Sequence, residues 1–85
     1  MDYYEVRWKH SAEKDLRKIH PQQIPRIINA VEKLAKNPFP SQSCKLQKAR
    51  YLYRLRVGDY RVIYHIDTFE KLVTIYYVRH RKEAY

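Results

Sequence analysis

Apolar and polar positions alternate in some stretches of this chain and recur at helical spacing in others. Tyr3 to Trp8 alternates and is rich in aromatic and β-branched residues, which predicts a first strand. Ser11 is a natural N-cap, and Glu13 and Asp15 follow in the first turns, where negative charge suits the helix dipole. Ala12, Leu16 and Ile19 then share one face of a short helix that ends near His20-Pro21. A second helix carries Ile24, Ile27, Ile28, Val31, Leu34 and Ala35 at three-and-four spacing. Pro25 fits only in a first turn, so that helix starts close to Ile24, and Asn37-Pro38-Phe39-Pro40 stops it.

Pro38 to Ala49 has no periodicity and reads as a polar, basic loop. Strands then follow at about Leu52–Val57, Tyr60–Asp67 and Leu72–Val78, with turns at Gly58-Asp59 and Thr68-Phe69-Glu70-Lys71. Turns this short force antiparallel neighbours. The last strand is apolar on both faces and is therefore expected inside the sheet. The expected fold class is α+β: two N-terminal helices packed on a mainly antiparallel four-stranded sheet, as one domain over residues 1–85.

Charge sharpens this picture. The chain has 85 residues, is 45% hydrophobic and carries a net charge of +9. Residues 1–43 hold eight Lys/Arg against five acids, and residues 44–85 hold ten against four. From Lys45 through Arg56 there are five basic residues (Lys45, Lys48, Arg50, Arg54 and Arg56) and no acid. A solvated face explains such a run in bland terms, and a footprint for phosphates explains it more sharply. Nine tyrosines add planar surfaces. Cys44 is the single cysteine and lacks the spacing of a zinc or nucleophile motif. No segment has the length and apolarity of a signal peptide or a membrane span, so a cytoplasmic location is expected.

Residues two apart on a strand share a face, so Arg54 and Arg56 project together while Tyr53, Leu55 and Val57 project the other way. Two adjacent guanidiniums repel unless an anion sits between them. In the next strand Val62, Tyr64 and Ile66 form one set, and Arg61, Ile63 and His65 the other, which sets Arg61 beside Arg54 and Arg56. Arg79, His80, Arg81, Lys82 and Tyr85 close the chain near the mouth of the sheet. This constellation lacks the clustered carboxylates of glycoside hydrolysis and of two-metal phosphoryl transfer. Arginines can still stabilise charge growing on phosphate oxygens, and RNA brings its own nucleophile, the 2′-hydroxyl. No metal and no cofactor is expected. Singly, each residue has a plainer role: His80 can bond backbone at a strand end, Tyr85 can fray, and Arg61 can pair with Asp67. Tyr76 and Tyr77 read as sheet and core residues.

The segments Tyr53-Arg54-Leu55-Arg56-Val57-Gly58-Asp59-Tyr60-Arg61-Val62-Ile63-Tyr64 and His80-Arg81-Lys82-Glu83-Ala84-Tyr85 resemble a RelE-type toxin of the RelE/ParE toxin–antitoxin superfamily. The helix start Ser11-Ala12-Glu13-Lys14-Asp15-Leu16 and the helix end at Asn37-Pro38 extend the likeness to nearly the whole chain. The resemblance implies a microbial-RNase-like fold and an mRNA interferase that enters the ribosomal A site and cleaves mRNA without metal. It further implies catalytic roles for Arg61, Arg81 and Tyr85, and places the superfamily's pair of basic strand residues at Arg54 and Arg56; Lys45, Lys48, Arg50, Arg79 and Lys82 join them as RNA- or phosphate-binding candidates on charge and position alone. The superfamily's best-studied pattern has lysines where this chain has Arg54 and Arg56. Arginine holds its proton, so His80 is expected as the proton acceptor. The implied partners are an acidic, RelB-like antitoxin, the ribosome and mRNA, with no membrane, and DNA only through the toxin–antitoxin complex. Two alternatives share the fold: a ParE-like DNA gyrase poison, and a non-catalytic module that acts with its antitoxin in transcriptional autoregulation.

Overall fold

The structure, a computed structural model, describes residues 3–41, 43–46 and 52–82. Five strands form one sheet: β1 (Glu5–Trp8), β2 (Ser43–Lys45), β3 (Leu52–Val57), β4 (Tyr60–Asp67) and β5 (Leu72–His80). Their order is β1-β5-β4-β3-β2. β1 runs parallel to β5, and every other pairing is antiparallel. Two helices, α1 (His10–Arg17) and α2 (Ile24–Glu32), lie between β1 and β2 in the chain, and a 3-10 turn at Lys33–Ala35 continues α2. The layers pack because the expected apolar stripes meet: Ala12, Ile27, Val31 and Leu34 are buried against Leu55, Val62, Tyr64 and Ile75. Pro25 stands in the first turn of α2, as its missing N–H requires.

Four expectations need correction. The sheet has five strands rather than four. The extra one, β2, lies within the supposed loop, where the Ser43 backbone N–H and Oγ both donate to the Pro40 carbonyl and set the segment beside β3. Three residues are too few to leave a periodic signature. The helices follow β1 instead of opening the chain. Ser11 is not the cap of α1: Lys9 holds that position without a side-chain bond, and Ser11 Oγ donates to the Tyr76 carbonyl at 2.7 Å. β5 continues to His80 and carries an irregularity, since Ile63 pairs with Tyr77 but Tyr64 pairs with Ile75, leaving Tyr76 as an extra residue.

The same end of β5 explains Asp15. β1 pairs with β5 only as far as Ile75, so the outer edge of the later residues has no neighbouring strand. α1 covers that edge. One carboxylate oxygen of Asp15 accepts the Val78 N–H and the other accepts from the Arg79 guanidinium, each at 3.0 Å. At the opposite hairpin end, Gly58 has φ +59°, and the Arg26 guanidinium lies 3.5 Å from where a side chain would begin.

Candidate nucleic-acid interface

Residues directly opposite in a sheet share a face, so register turns sequence parity into neighbours. Arg56 lies opposite Arg61, and Arg61 opposite Arg79. The three make a row across β3, β4 and β5. The next row is Cys44, Arg54, Ile63 and Tyr77. Leu55, Val62 and Val78, each one residue from the arginine row, are buried under the helices. Arg54, Arg56 and Arg61 therefore stand on the open side, as alternation predicted.

Among the described residues, Arg54, Arg56 and Arg61 have no carboxylate partner. Asp67, the plain alternative partner for Arg61, instead accepts the N–H groups of Phe69 and Glu70 at 3.0 and 2.9 Å. Like charges directly opposite one another disfavour folding. Arg79 differs, because Asp15 holds it at 3.0 Å and its Cζ lies 4.7 Å from the Tyr77 ring centroid. Arg81 closes the same end of the sheet. Its backbone N–H donates to the Asp59 carbonyl at 2.7 Å, and its guanidinium lies 3.7 Å from the Asp59 carboxylate.

The remaining candidates are dispersed. His80 lies opposite Tyr60, edge-on to its ring at 5.2 Å, and Tyr60 packs on the core beneath the helices. His80 thus sits behind the arginine face, where it borders a pocket of about 280 Å³ with His20, Gln23, Arg26 and Tyr60. Its Nδ1 accepts the Lys82 N–H at 3.2 Å. Lys45 lies opposite Tyr53, also on the helix side, and Lys82 is exposed beyond the last strand. Lys48, Arg50 and Tyr85 lie outside the described residues. Among the described residues, no group of three or more His, Cys, Asp or Glu is placed to hold a metal ion, and no helix is long and apolar enough to cross a membrane.

Two features escaped sequence reasoning. On the helix side, Arg26, Lys33 and Lys36 border a groove of about 610 Å³ whose apolar lining includes Leu34, Leu55 and Val57. Nothing local marks it, because its two sides come from α2 and β3. On the open side, Tyr76 and Tyr77 join His65 in a chain of ring contacts. Strict alternation sends only one of two successive tyrosines outward, and the irregularity in β5 is invisible in the pattern.

Known proteins echo this architecture. The family described as the ParE toxin of the type II toxin–antitoxin system, parDE, matches residues 6–85. Toxin RelG of Mycobacterium tuberculosis is 29% identical, over 96% of this chain and 95% of its own length. The RelBE2 toxin–antitoxin complex of the same organism contains a chain with a TM-score of 0.83 and 28% identity, covering 93% of this chain and 99% of that one. The archaeal RelE–RelB complex of Pyrococcus horikoshii gives 0.83 and 29%, over 99% and 100%.

Proposed function

The chain belongs to the ParE toxin family of type II toxin–antitoxin systems, within the RelE/ParE superfamily, and from that premise we propose that it is a metal-free endoribonuclease cleaving mRNA in the ribosomal A site. The observation that carries this reading is the Arg56–Arg61 pair, directly opposite across the hairpin and without a carboxylate partner among the described residues. A phosphodiester between them relieves their repulsion and accepts hydrogen bonds from both forks. The 2′-oxygen of the preceding ribose bonds to phosphorus while the bond to the 5′-oxygen breaks, leaving a cyclic phosphate. The 2′-hydroxyl proton passes to solvent on this open face, and the departing 5′-oxygen takes one from it. Arg61 and Arg81 stabilise the charge that grows on the phosphoryl oxygens. Tyr85 stacks on the substrate nucleotide.

His80 is expected as proton acceptor from sequence, but its position behind the sheet favours a different role. Its bond from the Lys82 N–H holds the turn that carries Arg81. A glutamine Oε1 can accept the same N–H, so His80→Gln retains cleavage if His80 only positions that turn and loses it if His80 takes the proton. The groove between α2 and β3, apolar within and cationic at its borders, suits an acidic segment of a RelB-like antitoxin with apolar anchors.

The test is expression of wild type, Arg61→Ala and Arg81→Ala, with primer extension on translated mRNA. Cuts in the A site by wild type, reduced roughly 10²- to 10³-fold in each variant, are the expected result. The parDE description of the matching family favours one competing reading, a gyrase poison. Toxicity without mRNA cuts, accompanied by DNA breaks, would establish that reading instead.

A further inference from the structure

We propose that His65, Tyr76 and Tyr77 form a stacking shelf for unpaired RNA bases beside the arginine row; this rests on the nuclease reading and adds a binding subsite to it. The irregularity in β5 creates the shelf. Tyr77 lies opposite Ile63 and so faces the open side with Arg61. The extra residue, Tyr76, turns the same way: its ring lies 6.2 Å from that of His65, at 24°, and His65 shares the parity of Arg61. Tyr76 and Tyr77 meet at 6.4 Å and 74°. A cation lies over one face of each tyrosine ring, Lys9 Nζ 4.1 Å from the Tyr76 centroid and Arg79 Cζ 4.7 Å from that of Tyr77, so a base stacks on the remaining face.

Packing alone gives Tyr77 a simpler task. Ile63 is 2% exposed on the open face, and Arg54 and Tyr77 flank it as a cover. That task does not require an aromatic ring. Yet Tyr77 remains 37% exposed, so ring surface is left over after Ile63 is covered. A single strand whose phosphates follow Arg56 and Arg61 has bases within one row of that ring. Stacking on such platforms is tolerant of sequence and independent of charge, whereas the arginine contacts depend on salt.

The experiment is fluorescence anisotropy of a labelled 2′-O-methyl RNA, which the enzyme cannot cut, with wild type, Tyr77→Ala, Tyr77→Leu, Tyr77→Trp and Arg56→Ala/Arg61→Ala. The shelf requires Tyr77→Ala and Tyr77→Leu to weaken binding roughly 5- to 150-fold with an unchanged salt slope, and Tyr77→Trp to restore it. Leucine still covers Ile63, so wild-type affinity in Tyr77→Leu reduces Tyr77 to a cover and overturns the shelf. A changed salt slope in Tyr77→Ala assigns the loss to Arg79 and overturns it as well. If the tyrosine variants bind like wild type while the double arginine variant fails, the shelf falls and the nuclease reading stands. No RNA binding by wild type overturns the shelf, while the nuclease reading then stands or falls on primer extension with translated mRNA.

Discussion

The phenol of Tyr64 is fully buried and donates to the Pro38 carbonyl at 3.0 Å. Burial pushes its ionisation above the ordinary value of 10.0, and the Ser43 hydroxyl offsets only part of that. The folded state therefore keeps the proton at a pH where the unfolded chain releases it. The stability this contributes is complete below about pH 10 and is lost as pH rises through the folded value. Urea unfolding of wild type should show a falling midpoint above that pH, and Tyr64→Phe should flatten the decline while lowering stability at neutral pH by about 1 kcal/mol for the lost hydrogen bond. Gly58 gives a second expectation. Its φ of +59° is a left-handed conformation that favours glycine over alanine, so Gly58→Ala should cost about 1–2 kcal/mol and lower the melting temperature by roughly 5–15 °C in calorimetry.

At the level of elements, β5 shows what a sequence can and cannot disclose. The parity of Leu55 against Arg56 and of Val62 against Arg61 separated core from open face correctly, because alternation is a property of neighbours along one strand. Two helices and an inner position for β5 were legible for the same reason. Asp15, Ser11 and β2 were not. Asp15 fits a helix dipole when read locally, yet its partners, Val78 and Arg79, are 63 and 64 residues away. Ser11 resembles a cap until the bare edge of β5 is present. Likewise His80 adjoins Arg81 in sequence but lies behind the sheet, because successive strand residues point to opposite faces. Asp15→Ala leaves the Val78 N–H unmet and frees Arg79, so it should destabilise the protein by about 2–3 kcal/mol. Asp15→Asn should lose less, since its amide oxygen still accepts that N–H. The check is the shift in urea midpoint at constant slope.

For the molecule as a whole, the excess of positive charge sets how it meets any polyanion. Binding to single-stranded RNA should weaken steeply with salt, and each arginine removed from the open face should reduce the slope of log affinity against log salt by about 0.7, as measured by anisotropy from 50 to 300 mM salt. The Arg56–Arg61 row also has a consequence for the protein at rest. Nothing among the described residues neutralises it, so the resting toxin carries stored repulsion that an inert version would shed. Arg61→Leu should thus melt higher than wild type in calorimetry, and under the proposed function the same substitution should abolish cleavage, so that stability and activity pull Arg61 in opposite directions.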